Sequence, residues 1–148
     1  MRIAYKMELE KREISDPSVN LVRYDSSYKD EYKRIYNECY HEMREALDIK
    51  PYDYIQDDSF FEEGMENVYL LINAPGEIIG GVALKDDEVD DLIVNRKYQG
   101  RGYGTKILTW AISKMNFETI ILHVADWNKK AISLYEKLGF VIVERIEF

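Results

Sequence analysis

Cysteine is nearly absent: Cys39 stands alone in 148 residues, so no disulfide can form within the chain. Prolines number only three, Pro17, Pro51 and Pro75, and no tract rich in Gly, Pro and Ser interrupts the sequence, which predicts one continuous domain over residues 1–148. No apolar run is long enough to span a membrane, and the opening MRIAYKMELEKRE carries too many charges for a signal peptide. A single free thiol without such segments fits a cytoplasmic protein. Positive charge is scarce: 20 Lys and Arg face 28 Asp and Glu, and the net −8 disfavours nucleic acid and anionic membranes as partners. The two histidines, His41 and His123, are too isolated in the sequence to indicate a metal site.

What is present is apolar material for one core, at 46% of residues, and an uneven charge distribution. Met1 to Asp91 holds 11 basic against 23 acidic residues, a net −12, whereas Leu92 to Phe148 holds 9 against 5, a net +4. The C-terminal third can hold an anion; the remainder prefers cations.

Alternation predicts a short strand at Ile3 to Leu9 and another within Asn20 to Tyr24. From Ser27, read as an N-cap, Tyr28, Tyr32, Ile35, Tyr36, Cys39, Met43 and Leu47 recur at helical spacing. A second short helix is expected over Asp57 to Met65. Strands follow at Val68 to Ile72 and Ile78 to Leu84, joined by a turn with Pro75 and Gly76 at its centre, and Glu88 to Val94 continues the meander. Tyr103 to Asn116 reads as a helix with Ile107, Leu108, Ala111, Ile112 and Met115 inward. Thr119 to Val124 reads as a strand, Lys129 to Leu138 as a helix stopped by Gly139, and Phe140 to Ile146 as the final strand. The expected fold is α/β (α+β): a mixed, mostly antiparallel sheet of six or seven strands with helices on both faces.

The most informative stretch is LIVNRKYQGRGYGT, Leu92 to Thr105, where an apolar strand passes through three alternate glycines into a helix. Gly100, Gly102 and Gly104 leave main-chain amides unobstructed at a helix start, which suits a phosphate or pyrophosphate. Arg96, Lys97, Arg101 and Lys106 add positive charge. A Walker loop needs GxxxxGK and a dinucleotide fingerprint needs GxGxxG; neither order occurs here.

These residues resemble the GNAT superfamily of acyl-CoA N-acyltransferases. Its Gln/Arg-x-x-Gly-x-Gly/Ala signature is met by Gln99, Gly102 and Gly104, and its second hallmark by Asn128, Ala131, Tyr135, Gly139 and Phe140. The resemblance covers Val82 to Val143. It implies acetyl-CoA as co-substrate, no metal, and a primary amine on a small molecule or peptide as acceptor. On this resemblance Gln99, Gly100, Arg101, Gly102, Tyr103, Gly104 and Thr105 embrace the diphosphate, while Leu92, Ile93 and Val94 line the pantetheine arm. Asn128 and Ala131 lie against the cofactor, the former also able to cap its helix. Tyr135 would contact the cofactor and protonate the departing thiolate.

Transfer to an alkyl ammonium of pKa about 10.4 requires removing a proton near pH 7, a deficit worth roughly 4 to 5 kcal/mol. A carboxylate answers that need, and Glu88, 11 residues before Gln99, resembles the base of some family members. Asp90 or a water chain is the alternative. Asp86, Asp87, Asp90 and Asp91 beside it favour a cationic acceptor, and Tyr36, Tyr40, Tyr52 and Tyr54 are acceptor-site candidates. A non-catalytic acyl-CoA sensor is the competing reading. Members of the family commonly end with two strands after the last helix, whereas Phe140 to Phe148 supplies one. The strand at Ile3 to Leu9 is expected to take the vacant place, within the chain or by exchange in a homodimer.

Overall fold

Among the described residues seven strands join one sheet. In the computed structural model, which describes residues 1–11 and 16–148, these are β1 (Ile3–Glu10), β2 (Val22–Arg23), β3 (Val68–Ile72), β4 (Ile78–Lys85), β5 (Glu88–Val94), β6 (Thr119–Ala125) and β7 (Val141–Glu147). The helices are α1 (Lys29–Ala46), α2 (Tyr103–Lys114) and α3 (Lys129–Lys137). Sheet order is β2-β3-β4-β5-β6-β1-β7, antiparallel throughout except for β5 against β6. Among the described residues no helix is long and apolar enough to cross a membrane.

The N-terminal strand answers the shortage at the C-terminal end. It lies between β6 and β7 and pairs antiparallel with both, Met7 opposite Leu122 on one side and Ile142 on the other. Both neighbours belong to its own chain.

Each face of the sheet carries its own core. On one, α2 and α3 bury Ile107, Leu108, Ala111 and Ile132 against Met7, Val82, Val89 and Leu122. On the other, Tyr32, Ile35 and Tyr36 of α1 pack on Leu70, Ile78 and Ile93. Between bulges the period-2 rule decides which face each strand residue serves.

Several local expectations need correction. Ser27 is not the cap of α1: Asp25 accepts its N–H at 2.8 Å and caps a 3₁₀ turn, Ser26–Tyr28, which runs into the helix. The segment expected as a second helix, Asp57 to Met65, forms only a 3₁₀ turn, Asp58–Phe61, and then a bend through Gly64 at φ +82°, which caps a further 3₁₀ turn, Met65–Asn67. In the β3–β4 turn the Gly76 N–H bonds Asn73 O at 2.9 Å, so Ala74 and Pro75 are central, and Gly76 takes the following left-handed position at φ +94°. Trp110, left out of the expected inward face of α2, is buried at 5% exposure.

Candidate active site

The sheet opens at one seam. Strands β5 and β6 pair only through Glu88–Ile121 and Val89–Leu122, after which β5 follows β4 and β6 follows β1. The Asn95 N–H donates to Ile79 O at 2.8 Å, so strand alternation turns the main-chain groups of Ile93 toward β4 and those of Leu92 and Val94 into the wedge. Their side chains lie with the α2/α3 core, whereas Ile93 is buried on the α1 face. The Val94 carbonyl accepts the Gln99 amide at 3.0 Å and the Cys39 thiol at 3.2 Å. Burial pushes that thiol up to about 11, so it is inert near neutral pH.

A bulge selects the carboxylate that enters the wedge. Ala83 pairs with Asp91 and Leu84 with Val89, leaving Asp90 as an extra, exposed residue. Without it, Val89 and Asp91 would share a face. With it, Val89 joins the α2/α3 core and Asp91 turns to α1, where the Tyr40 hydroxyl donates to it at 2.7 Å and Tyr36 approaches at 3.5 Å. Burial raises the Asp91 carboxyl to about 6, against the lowering effect of the Tyr40 hydrogen bond. Burial also lifts the Tyr40 hydroxyl well above its ordinary value, reinforced by Asp91. Glu88 occupies the start of the same strand, half-buried, with His123 Nδ1 at 3.0 Å from its carboxylate.

From the opposite face, α3 brings Tyr135 to the wedge. Its ring lies 6.0 Å from Phe140, and its hydroxyl makes no hydrogen bond with the described residues. Burial, then the charge of Asp91, pushes it up to about 12, so it holds its proton across the physiological range. Asn128 caps α3, accepting the Ala131 N–H at 3.2 Å. Ala131 itself is half-buried beside the core.

On the α1 face beside Asp91, aromatic rings form a wall. Tyr36 is 4.7 Å from Tyr40, 6.2 Å from Tyr54 and 5.2 Å from Phe60. Tyr52 stands apart, bonding Asp48 at 2.7 Å. His41 lies between Asp53 at 2.8 Å and Glu45 at 3.1 Å on the exposed side of α1.

The glycine loop differs from residue to residue. Gly100 and Gly102 have φ of +78° and +83°, and nothing lies within 4 Å of a Cβ at either, so the left-handed backbone alone demands glycine there. Gly104 has no such backbone demand; a Cβ there would stand 3.1 Å from a terminal methyl of Leu134 in α3, a tight contact that the leucine must shift to relieve. Gly102 caps α2 without a side chain, and the helix's first bond runs from Lys106 N–H to Gly102 O, leaving the amides of Tyr103, Gly104 and Thr105 for a ligand. Thr105 shares an open groove of about 470 Å³ with Lys129, Lys130, Ser133, Leu134 and Lys137. Lys97 is held by Glu77 at 3.0 Å, so it is not the mobile charge its position suggested, and Arg101 lies over the Tyr98 ring at 5.6 Å.

Gly102→Ala is expected to raise the dissociation constant for coenzyme A about tenfold, since a left-handed alanine costs roughly 1 to 2 kcal/mol. Calorimetry on the variant checks this, and unchanged affinity would show that the loop does not hold the cofactor.

Comparison with known proteins finds related sequences and a shared fold. A thialysine N-epsilon-acetyltransferase of Mus musculus is 33% identical over 87 residues, covering 47% of this chain and 51% of its own. A spermidine N(1)-acetyltransferase of Vibrio cholerae is 27% identical over 116 residues, covering 76% of this chain and 58% of its own. The chain thus spans about half the length of the curated relatives it matches. The crystal structure of an N-acetyltransferase from Staphylococcus aureus superposes with a TM-score of 0.67 at 16% identity, over 88% of this chain and 94% of that one, which shows a shared fold. Residues 29–140, from the start of α1 through Phe140, match the acetyltransferase (GNAT) family, and the chain belongs to that family.

Proposed function

We propose that the protein moves an acetyl group from acetyl-CoA to a primary amine by direct attack inside the β5–β6 wedge. One observation carries this: where β5 parts from β6, the main-chain N–H groups of Leu92 and Val94 face the open wedge, with the half-buried carboxylate of Asp91 on one face of the sheet and the protonated phenol of Tyr135 on the other. Acyl transfer needs a proton acceptor, a donor for the carbonyl oxygen and an acid for the leaving group.

In this reading the first-turn amides of α2 hold the diphosphate, the lysines of the adjoining groove take the remaining phosphate charge, and a main-chain N–H of β5 polarises the thioester carbonyl. The ammonium gives one proton to Asp91, and the free amine attacks the thioester carbonyl; the C–N bond forms, the C–S bond breaks, and Tyr135 protonates the departing thiolate. The second proton lost from nitrogen returns to Tyr135 through water, and the proton on Asp91 leaves to solvent as the one net proton. Asp91 has a stronger claim to the base than Glu88 because its burial moves it toward the operating pH, whereas Glu88 is engaged by His123. The acceptor is a cationic amine, favoured by the carboxylates of β5 and by the tyrosine wall. Thialysine and spermidine, named for the two relatives, are amines of this kind.

Calorimetry should detect acetyl-CoA binding in the micromolar range, and a thiol-release assay over diamines, aminoglycosides, amino acids and peptides should find at least one acceptor. Binding without release across the panel would favour the sensor, and absence of binding would end the acyl-CoA reading.

A further inference from the structure

The glycine loop is held from outside the cleft. Asn95, 2% exposed, donates to Ile78 O at 2.9 Å and accepts the Lys97 N–H at 3.2 Å, tying the end of β5 to β4. Three residues later Tyr98 makes a second tie to the same hairpin. Its hydroxyl donates to the Glu77 carboxylate and accepts from the Asn73 amide at 2.8 Å. Asn73 in turn accepts the Glu77 N–H at 2.8 Å, so the hairpin end is braced internally. The Tyr98 ring meets Tyr103 edge-on at 6.0 Å and lies under the Arg101 guanidinium at 5.6 Å. One side chain therefore joins the β3–β4 hairpin to residues on both sides of Gly102.

That link matters because the loop has little rigidity of its own. Gly100 and Gly102 sit in open space, and a glycine-rich segment loses more conformational freedom on being fixed than any other. Ordering it beforehand removes that loss from the binding step. We propose that Glu77, acting through Tyr98, is a positioning residue for acetyl-CoA: it sets cofactor affinity by holding the amides of residues 103–105 in place, and takes no part in the chemistry. This rests on the reading that those amides bind the diphosphate of coenzyme A.

The test compares Tyr98→Phe, Glu77→Ala and Glu77→Gln with the parent. Tyr98→Phe keeps the ring and removes one hydroxyl, and Glu77→Ala removes the acceptor. Each is expected to raise the acetyl-CoA dissociation constant about tenfold, with kcat at saturating acetyl-CoA and KM for the amine within twofold of the parent. Because the Tyr98–Glu77 bond is common to both, the double variant should lose less affinity than the sum of the two single losses. Glu77→Gln still accepts the Tyr98 hydroxyl and should recover most of the affinity. Parent-like affinity in Tyr98→Phe, or kcat falling together with affinity, would overturn the proposal. A parent that does not bind acetyl-CoA would instead remove the cofactor reading on which it stands.

Discussion

Asp91→Asn is expected to lower kcat/KM by roughly 10²- to 10⁴-fold while making the protein more resistant to heat at pH 8. The two effects have one cause. The folded protein holds the Asp91 carboxyl at about 6, above its ordinary 3.8, because burial opposes the charge. A raised value in the folded state means that the native form keeps a proton the unfolded chain has already released. Stability is therefore undiminished below pH ~4, falls as pH rises from ~4 to ~6, and stays reduced above that. Two pKa units correspond to about 3 kcal/mol as an upper figure, since Asp91 keeps some contact with solvent. Asparagine has no such charge, yet its carbonyl can still accept the Tyr40 hydroxyl.

Thermal melts of parent and variant should accordingly coincide near pH 4 and separate by a few degrees above pH 6, with the variant higher. In parallel, the parent's kcat/KM should fall off below about pH 6, and Asp91→Asn should lack that limb. Glu88→Gln discriminates between the carboxylates, because it should keep the limb. A limb lost in Glu88→Gln and kept in Asp91→Asn would move the base to Glu88 and sink the assignment.

Why Asp91 escaped the sequence reading is a matter of parity. Periodicity located β5 well, since Val89, Ile93 and the flanking carboxylates alternate with burial, but strict alternation puts Val89 and Asp91 on one face. The single extra residue at Asp90 reverses that assignment, and nothing in the local composition DDEVDD marks which residue bulges. Long periodic segments fared better: α1, α2 and α3 show in their apolar spacing because one helix face must be buried whatever its partner. The glycine loop was also legible, but as one motif, whereas its glycines answer separate demands: backbone angle at Gly100 and Gly102, clearance from Leu134 at Gly104.

Contacts between distant segments were the least accessible. The place of β1 between β6 and β7 was inferred only from a shortage of strands, since no residue of Ile3–Glu10 names its neighbours. The bracing of Tyr98 by Glu77, 21 residues earlier, left no sequence signal, and Lys97 looked free because its partner lies across a hairpin. The stretch from Asp57 to Met65 has no long apolar period to hold a helix, and Asp57, which accepts the Ser59 N–H at 2.9 Å, caps a 3₁₀ turn there instead.

Tyr135→Phe isolates the departure of the thiolate. Its hydroxyl is held up to about 12 by burial and then by Asp91, so Tyr135 is protonated at every pH where the enzyme would be assayed. The free thiol of coenzyme A, like other alkyl thiols, titrates near pH 8.5. At pH 7 the leaving sulfur must gain a proton, and losing the acid should lower kcat about 100-fold, near the lower end for such groups. At pH 9.5 the thiolate is itself the stable product, so the deficit should shrink to about tenfold. Acetyl-CoA affinity should stay within a few-fold of the parent, since phenylalanine keeps the ring against Phe140. A defect of constant size from pH 7 to 9.5 would mean that Tyr135 orders the wedge without supplying the proton. A defect confined to acetyl-CoA binding would make it a cofactor contact alone.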